Sequence, residues 1–251
     1  MRRGTNLRAL GGFNQTVILD AIRRSRSGVS RVELAQLTGL SAQTVTNVSR
    51  RLIDAGTVRE AGQQNSGVGK PRVMLELEPT AGYAVGVHID PAVITYVILD
   101  LTGGMVAQTS IHSSSATAAD QVVSSMAQAI GSLAASSGVD VDRILGVGIA
   151  APGPLDSNSG LVLEPPLLEG WHRVALRGAL AEETGHPVLL EKDVAAATVA
   201  ELWTSEGEDR DDFLFFYYGT GVGSGIALDH EVIRGSTGNA GEIGHILVPS
   251  P

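Results

Sequence analysis

The chain has 251 residues, 43% of them hydrophobic and 18% charged, with no cysteine and a net charge of −9. That length is enough for two domains with a sizeable core, and the hydrophobic share excludes a disordered chain. Zero cysteines exclude disulfides and Cys-based zinc sites, and the chain carries neither a bilayer-length apolar run nor the apolar core of a signal peptide, so a cytoplasmic protein is expected.

Charge divides the chain. Residues 1–80 carry 12 Lys and Arg against 6 Asp and Glu, a net of +6, whereas residues 81–251 carry 6 against 21, a net of −15. Only the N-terminal part is suited to phosphate, where cations gain from counterion release. Domains are therefore expected at 1–80 and 81–251, the second with a different task.

In the first part, Ser30 with Glu33 three residues later has the capping-box pattern that starts a helix. Gly39 suits the positive φ that stops it, and Ser41 can cap the next helix. Two short helices about a tight turn make a helix-turn-helix layout. Val45, Val48 and Leu52 then share one face of the second helix. Gln43, Thr46, Asn47 and Arg50 project from the other, and amides, hydroxyls and guanidinium groups are what read base edges in a major groove. Ser41 and Thr44 at the helix start, and Arg51, complete the DNA-facing set. A solvated polar face on an ordinary three-helix bundle is the alternative.

The next segment favours DNA. Thr57–Glu60 and Val73–Leu77 read as two strands, and the glycine-rich stretch 62–72 between them ends in Lys70, Pro71 and Arg72. A two-stranded ribbon with a basic tip is the wing of a winged helix, so Lys70 and Arg72 are candidate groove or phosphate contacts. A mere linker would not need alternating strands at both ends.

From residue 83 the pattern changes. Tyr83–Ile89 and Val93–Leu99 flank Asp90-Pro91-Ala92 as a hairpin, and Gly104–Ile111 adds a third strand. Residues 113–119 read as a loop. A helix over 118–137 leads to a strand at Ile144–Ala150. A helix at Val174–Thr184, a strand at Pro187–Glu191, a helix over 193–203, and strands at Phe213–Tyr218 and Gly225–Leu228 follow. Three meandering strands and then alternating elements give an α/β mixed sheet.

Four segments occur in the order found in one family: Gly146-Val-Gly-Ile-Ala-Ala-Pro-Gly-Pro154, Glu191-Lys-Asp-Val-Ala-Ala-Ala197, Gly219-Thr-Gly-Val-Gly-Ser-Gly225 and Gly241-Glu-Ile-Gly-His245. Over essentially its whole length the chain resembles the ROK family of repressors and sugar kinases. The resemblance implies an actin-like ATPase fold, the ROK sugar kinase-like mixed-sheet domain, behind a winged helix-turn-helix as in the repressor branch. Such a domain extends beyond the position of Pro251, so the chain reads as truncated at its C-terminus.

The resemblance also implies a sugar site. Asp193 matches the carboxylate that serves kinases of this type as base toward a sugar hydroxyl; helix capping is its other common role. Lys192 stands where the family has a sugar-binding Asn. Glu242 and His245 match a Glu-x-x-His pair that holds sugar hydroxyls, the alternative for His245 being a buried imidazole bonded to backbone. In the family that His also begins a structural zinc site completed by downstream cysteines. One imidazole makes no zinc site, so no metal or cofactor is expected within this chain, and zinc only in a longer form.

One departure stands out. The family's kinases place Asp-x-Gly-Gly-Thr at the first phosphate loop, whereas this chain has His88-Ile89-Asp90-Pro91-Ala92. Asp90 adds negative charge, and Pro91 removes an amide that would cradle phosphate. Poor ATP binding is expected, with Asp193 a vestigial base and no enzyme activity. The expectation is a repressor that binds a double-stranded DNA operator as a homodimer or higher homo-oligomer, under control of a sugar or sugar derivative. An ATP-dependent sugar kinase with a DNA-binding head is the alternative, and a ligand-free dimerisation scaffold a third reading.

Overall fold

A computed structural model of the chain describes residues 7–247 apart from 26, 65–70, 113–118, 167, 205–210 and 220. Its contacts separate Met1–Gly82 with Asp100–Gly104 from Tyr83–Leu99 with Met105–Pro251.

The first unit opens with α1 (Leu7–Arg24), β1 (Val29–Ser30), α2 (Arg31–Thr38) and α3 (Ala42–Asp54). The capping box forms as the spacing predicts: Glu33 N–H donates to Ser30 Oγ at 3.3 Å, and Ser30 N–H donates to Glu33 Oε2 at 2.8 Å. Gly39 ends α2 in the left-handed region at φ 67°, where a side chain would be strained. Ser41 Oγ accepts the Thr44 N–H at 3.2 Å and starts α3. Two caps around one left-handed residue thus fix the turn between these helices.

Strands β2 (Val58–Gln64) and β3 (Arg72–Leu77) pair antiparallel, and β1 adds to the other side of β3. Ile18 and Ile22 of α1, Leu34 of α2, Val45, Val48 and Leu52 of α3, and Val29, Val58 and Leu75 of the sheet form one buried core. Each such side chain contributes about 1.5–3 kcal/mol on leaving water. The strands run longer than predicted, because the pairs Gln63–Val73 and Gln64–Arg72 continue the ladder past an irregularity at Gly62. α1 and β1 were not predicted.

The second unit holds β4 (Tyr83–Ile89), β5 (Val93–Asp100), β6 (Met105–His112), α4 (Ala119–Ser137), β7 (Ile144–Ala151), β8 (Leu155–Asp156), β9 (Leu161–Val162), α5 (Leu176–Thr184), β10 (Val188–Lys192), α6 (Asp193–Thr204), β11 (Phe213–Tyr218), β12 (Val222–Leu228) and β13 (Glu231–Val232). A five-stranded sheet has the order β10-β7-β4-β5-β6. β7 is parallel to both β4 and β10, while β5 and β6 are antiparallel, so the sheet is mixed as expected. Val85, Val87, Ile149 and Leu190 of the sheet pack with Met126 and Ile130 of α4 and with Leu176 and Leu180 of α5. A second sheet, β11-β12-β13, lies against α6.

Helix α5 starts two residues later than predicted, and β10 ends on Lys192 rather than Glu191. Asp193 is thereby the first residue of α6. The predicted loop 113–119 falls largely outside the described residues. No helix among the described residues is long and apolar enough to cross a membrane.

Candidate functional site

Two places carry candidate chemistry, one in each unit. In the first, α3 buries Val45, Val48 and Leu52 and leaves Gln43, Asn47, Arg50 and Arg51 exposed, with Thr44 and Thr46 partly so. Gln43 Nε2 donates to Asn47 Oδ1 at 3.1 Å, which aligns two amides one helical turn apart. Thr46 Oγ1 donates to the Ala42 carbonyl at 2.8 Å and keeps a lone pair for another donor. Ser41 Oγ and Thr44 Oγ1 lie 2.9 Å apart at the helix start.

Cations of the unit differ in what they touch. Arg31 pairs with Glu60 at 2.9 Å, Arg59 with Glu76 at 3.2 Å, and Arg72 with Glu33 at 3.3 Å. Among the described residues Arg50 and Arg51 make no ion pair. Arg72, at the loop end of the β2–β3 ribbon, thus ties the ribbon to Glu33 of α2, a local role that sequence reading did not foresee. Lys70, the other predicted ribbon contact, lies outside the described residues. Glu33 has its carboxyl held below the usual range, first by the Ser30 backbone N–H, then by the Ser30 hydroxyl, with Arg72 adding to both.

In the second unit, the carboxyl ends of β4, β7 and β10 bring His88, Ala150 and Ala151, and Lys192 side by side. The C-terminal edge of parallel strands is where open α/β sheets bind ligands. The Lys192 side chain is 5% exposed, and its ammonium is bonded to the Glu242 carboxylate, at 39% exposed. Lys192 and Glu242, predicted separately as sugar contacts, therefore meet each other. Asp193 sits beside them at the start of α6, its Oδ1 accepting the Val194 N–H at 2.7 Å. Burial pushes the Asp193 carboxyl up, and Glu242 pushes the same way; the Val194 N–H, Lys192 and His88 oppose it. His88 is exposed. Glu242 precedes the short turn Ile243–His245, which places His245 on the same segment; its imidazole lies outside what the structure describes.

The wall of this cluster is a residue set that sequence reading missed. Gly153 packs so closely that a Cβ there would lie 3.2 Å from Glu242 Oε1, 3.3 Å from Lys192 Cε and 3.4 Å from Asn239 Oδ1. Asn239 accepts the Leu155 N–H at 2.8 Å and donates to the Leu155 carbonyl at 2.6 Å. One amide thus fixes the 153–155 segment to the turn that carries Glu242. Next to the cluster, Arg234 pairs with Glu191, the residue before Lys192.

The turn 90–92 is closed on itself. Asp90 Oδ1 accepts the Ala92 N–H at 3.0 Å, Asp90 N–H donates to the Val93 carbonyl at 3.1 Å, and Pro91 has no N–H. Two of the glycines at 219–225 have a packing reason: a Cβ on Gly223 would meet Val194 at 3.2 Å, and one on Gly225 would overlap Thr198 of α6, whereas one on Gly221 would meet nothing within 4 Å. Thr220 lies outside the described residues. Among those described, no group of three or more His, Asp or Glu could hold a metal ion. With no cysteine in the chain, the residues present do not fit the zinc site that the resemblance implies.

Comparisons with known proteins agree with this architecture. A model of the ROK family matches residues 84–250. The xylose repressor of Bacillus subtilis (strain 168) is 28% identical over 238 residues, covering 94% of this chain and 60% of its own length. Among solved structures, a ROK family transcriptional regulator described as a homolog of the E. coli MLC protein matches at a TM-score of 0.74 and 25% identity, over 94% of this chain and 60% of that one. A ROK family glucokinase from Streptomyces griseus, in complex with glucose and AMPPNP, matches at a TM-score of 0.57 and 30% identity, over 67% of this chain and 51% of that one. The chain spans about three fifths of the length of the curated repressors it matches. Residues 84–250 cover most of the chain, and with them it belongs to the ROK family.

Proposed function

We propose that the protein is a cytoplasmic, sequence-specific DNA-binding transcriptional repressor controlled by a sugar or sugar derivative. The observation that carries the reading is α3: a doubly capped helix pair presents Gln43, Asn47 and Arg50 outward, opposite the buried Val45, Val48 and Leu52. The first unit is then a winged helix-turn-helix spanning about residues 1–80, with the β2–β3 ribbon as wing. Gln43, Thr46, Asn47 and Arg50 read base edges in the major groove. Ser41 and Thr44 at the helix start, with Arg51, Lys70 and Arg72, meet phosphates or the adjacent groove.

One such helix covers only a few base pairs, so the protein binds a pseudo-palindromic operator as a homodimer or higher homo-oligomer. In residues 81–251, Lys192, Asp193, Glu242 and His245 receive the sugar. Binding there shifts a conformational equilibrium that changes the spacing of the DNA heads. The second reading is an ATP-dependent sugar kinase, which the retained Asp193 favours. Against it stand His88 in place of the loop carboxylate, Asp90 and Pro91 in place of glycines, and the Ala92 amide already bonded to Asp90. ADP release that depends on a hexose and disappears in Asp193→Asn would restore the kinase.

The repressor reading is tested by comparing Arg50→Ala with Lys70→Ala on operator and random DNA. Arg50→Ala should lose about 1–3 kcal/mol of discrimination, whereas Lys70→Ala should weaken all sequences alike and flatten the salt dependence. Equal losses on both DNAs for Arg50→Ala remove that residue from base reading.

A further inference from the structure

We infer that Lys192 sets the affinity of the sugar pocket as an internal competitor, holding Glu242 in a bond that an incoming sugar hydroxyl has to displace. The inference rests on the proposed sugar site and names the chemistry that the site demands. The Lys192 ammonium is bonded to the Glu242 carboxylate, and its side chain is 5% exposed, so the pair is held among protein atoms on the lysine side. Gly153 closes the pair on one side, where a Cβ would sit 3.2 Å from Glu242 Oε1 and 3.3 Å from Lys192 Cε. Asn239 holds that side in place through both of its bonds to Leu155. Asp193, at the start of the adjoining helix, supplies a further acceptor.

An ammonium only donates and a carboxylate only accepts. A ligand entering between them must therefore present an acceptor oxygen to Lys192 and a hydroxyl proton to Glu242. One hydroxyl can do both, its oxygen accepting from Lys192 while its proton goes to Glu242, whereas a group that only donates or only accepts leaves a charge without its partner. An amide at position 192, the residue type the family resemblance supplies, would remove the ion pair that a sugar hydroxyl has to displace. Lys192 thereby weakens binding of every neutral sugar, because a sugar hydroxyl must displace the bond between Lys192 and Glu242.

The test uses the full chain, with glucose, xylose, N-acetylglucosamine and 2-deoxyglucose as probes, read by isothermal calorimetry and by ligand-induced thermal shift. Lys192→Asn should tighten the best-binding sugar by at least tenfold, about 1.4 kcal/mol. Lys192→Met, which keeps the buried stem and removes only the charge, should tighten binding likewise, and it serves if Lys192→Asn does not fold. General destabilisation cannot raise affinity, so a merely structural role predicts no gain. Unchanged or weaker binding in both variants, with the parent responding, overturns the inference and leaves the sugar site standing. No response from parent or variants overturns the sugar site and the inference together.

Discussion

Gly225→Ala tests whether the glycine-rich strand β12 is a packing device or a phosphate loop. A Cβ at Gly225 would lie 1.8 Å from Thr198 Oγ1, 2.5 Å from the Val194 carbonyl oxygen and 3.0 Å from Thr198 Cβ. Thr198 is fully buried, and its hydroxyl donates to that same carbonyl at 2.7 Å. Rotating Thr198 away breaks this bond and still leaves the carbonyl too close. Ordinary contact begins at 3.4 Å, so α6 must also retreat by about 0.9 Å. Overpacking of this kind costs about 1–3 kcal/mol, and the lost buried hydrogen bond about 1 more. The total of about 2–4 kcal/mol corresponds to roughly 5–15 °C in the melting of the second unit. Calorimetry on the full chain reads this directly. Adding Thr198→Ala removes the nearest clash but not the carbonyl, so it should restore at most about half the loss. Because α6 begins at Asp193, the sugar response should fall as well. A Gly225→Ala protein within about 0.5 kcal/mol of the parent would refute the packing role.

Other predictions concern the caps and the pocket. Glu33 is depressed in the folded state, so its contribution is present above the unfolded value of about 4.3 and is lost as pH falls through the folded one. Glu33→Ala should therefore cost about 1 kcal/mol at pH 7, modest because the carboxylate is partly solvated; an equal loss at pH 3 in thermal melts contradicts the cap. Asp193 has the opposite sign, its folded value being raised by burial, so its ionisation costs stability as pH rises from the unfolded value through the folded one. Asp193→Asn should melt higher than the parent at pH 7, with the gain disappearing in acid, and a lower melt at pH 7 rejects the burial argument. Asn239→Ala removes two bonds to Leu155. It should cost about 1–3 kcal/mol and blunt the thermal shift given by sugars; an unchanged shift means that the wall does not shape the pocket.

How much the sequence revealed depended on how local the signal was. The capping box, Gly39 and Ser41 are decided within a few residues, and the structure forms all three. Long β-branched runs gave β4, β5 and β7 to within a residue. β1 has two residues, too few for any period, and β8 and β9 are as short. The late end of β2 is a run of exposed residues with no alternation to read. In the pocket, Lys192 and Glu242 were marked by the family motifs, but their pairing spans 50 residues of sequence and has no local trace. Asn239 was missed for the same reason, its partner Leu155 being 84 residues away. The missing kinase loop was visible as residue types; that the Ala92 amide is taken by Asp90 emerged only from geometry.

Operator selection from genomic fragments, followed by anisotropy at fixed salt with and without glucose, xylose and N-acetylglucosamine, tests the proposed function most directly. A repressor of this kind should hold one pseudo-palindromic site at least about 10³-fold more tightly than random DNA, and one of the sugars should shift that affinity. Binding with no preference over random DNA at any salt concentration would contradict DNA reading by α3. A specific site that no sugar moves would contradict the control by sugar.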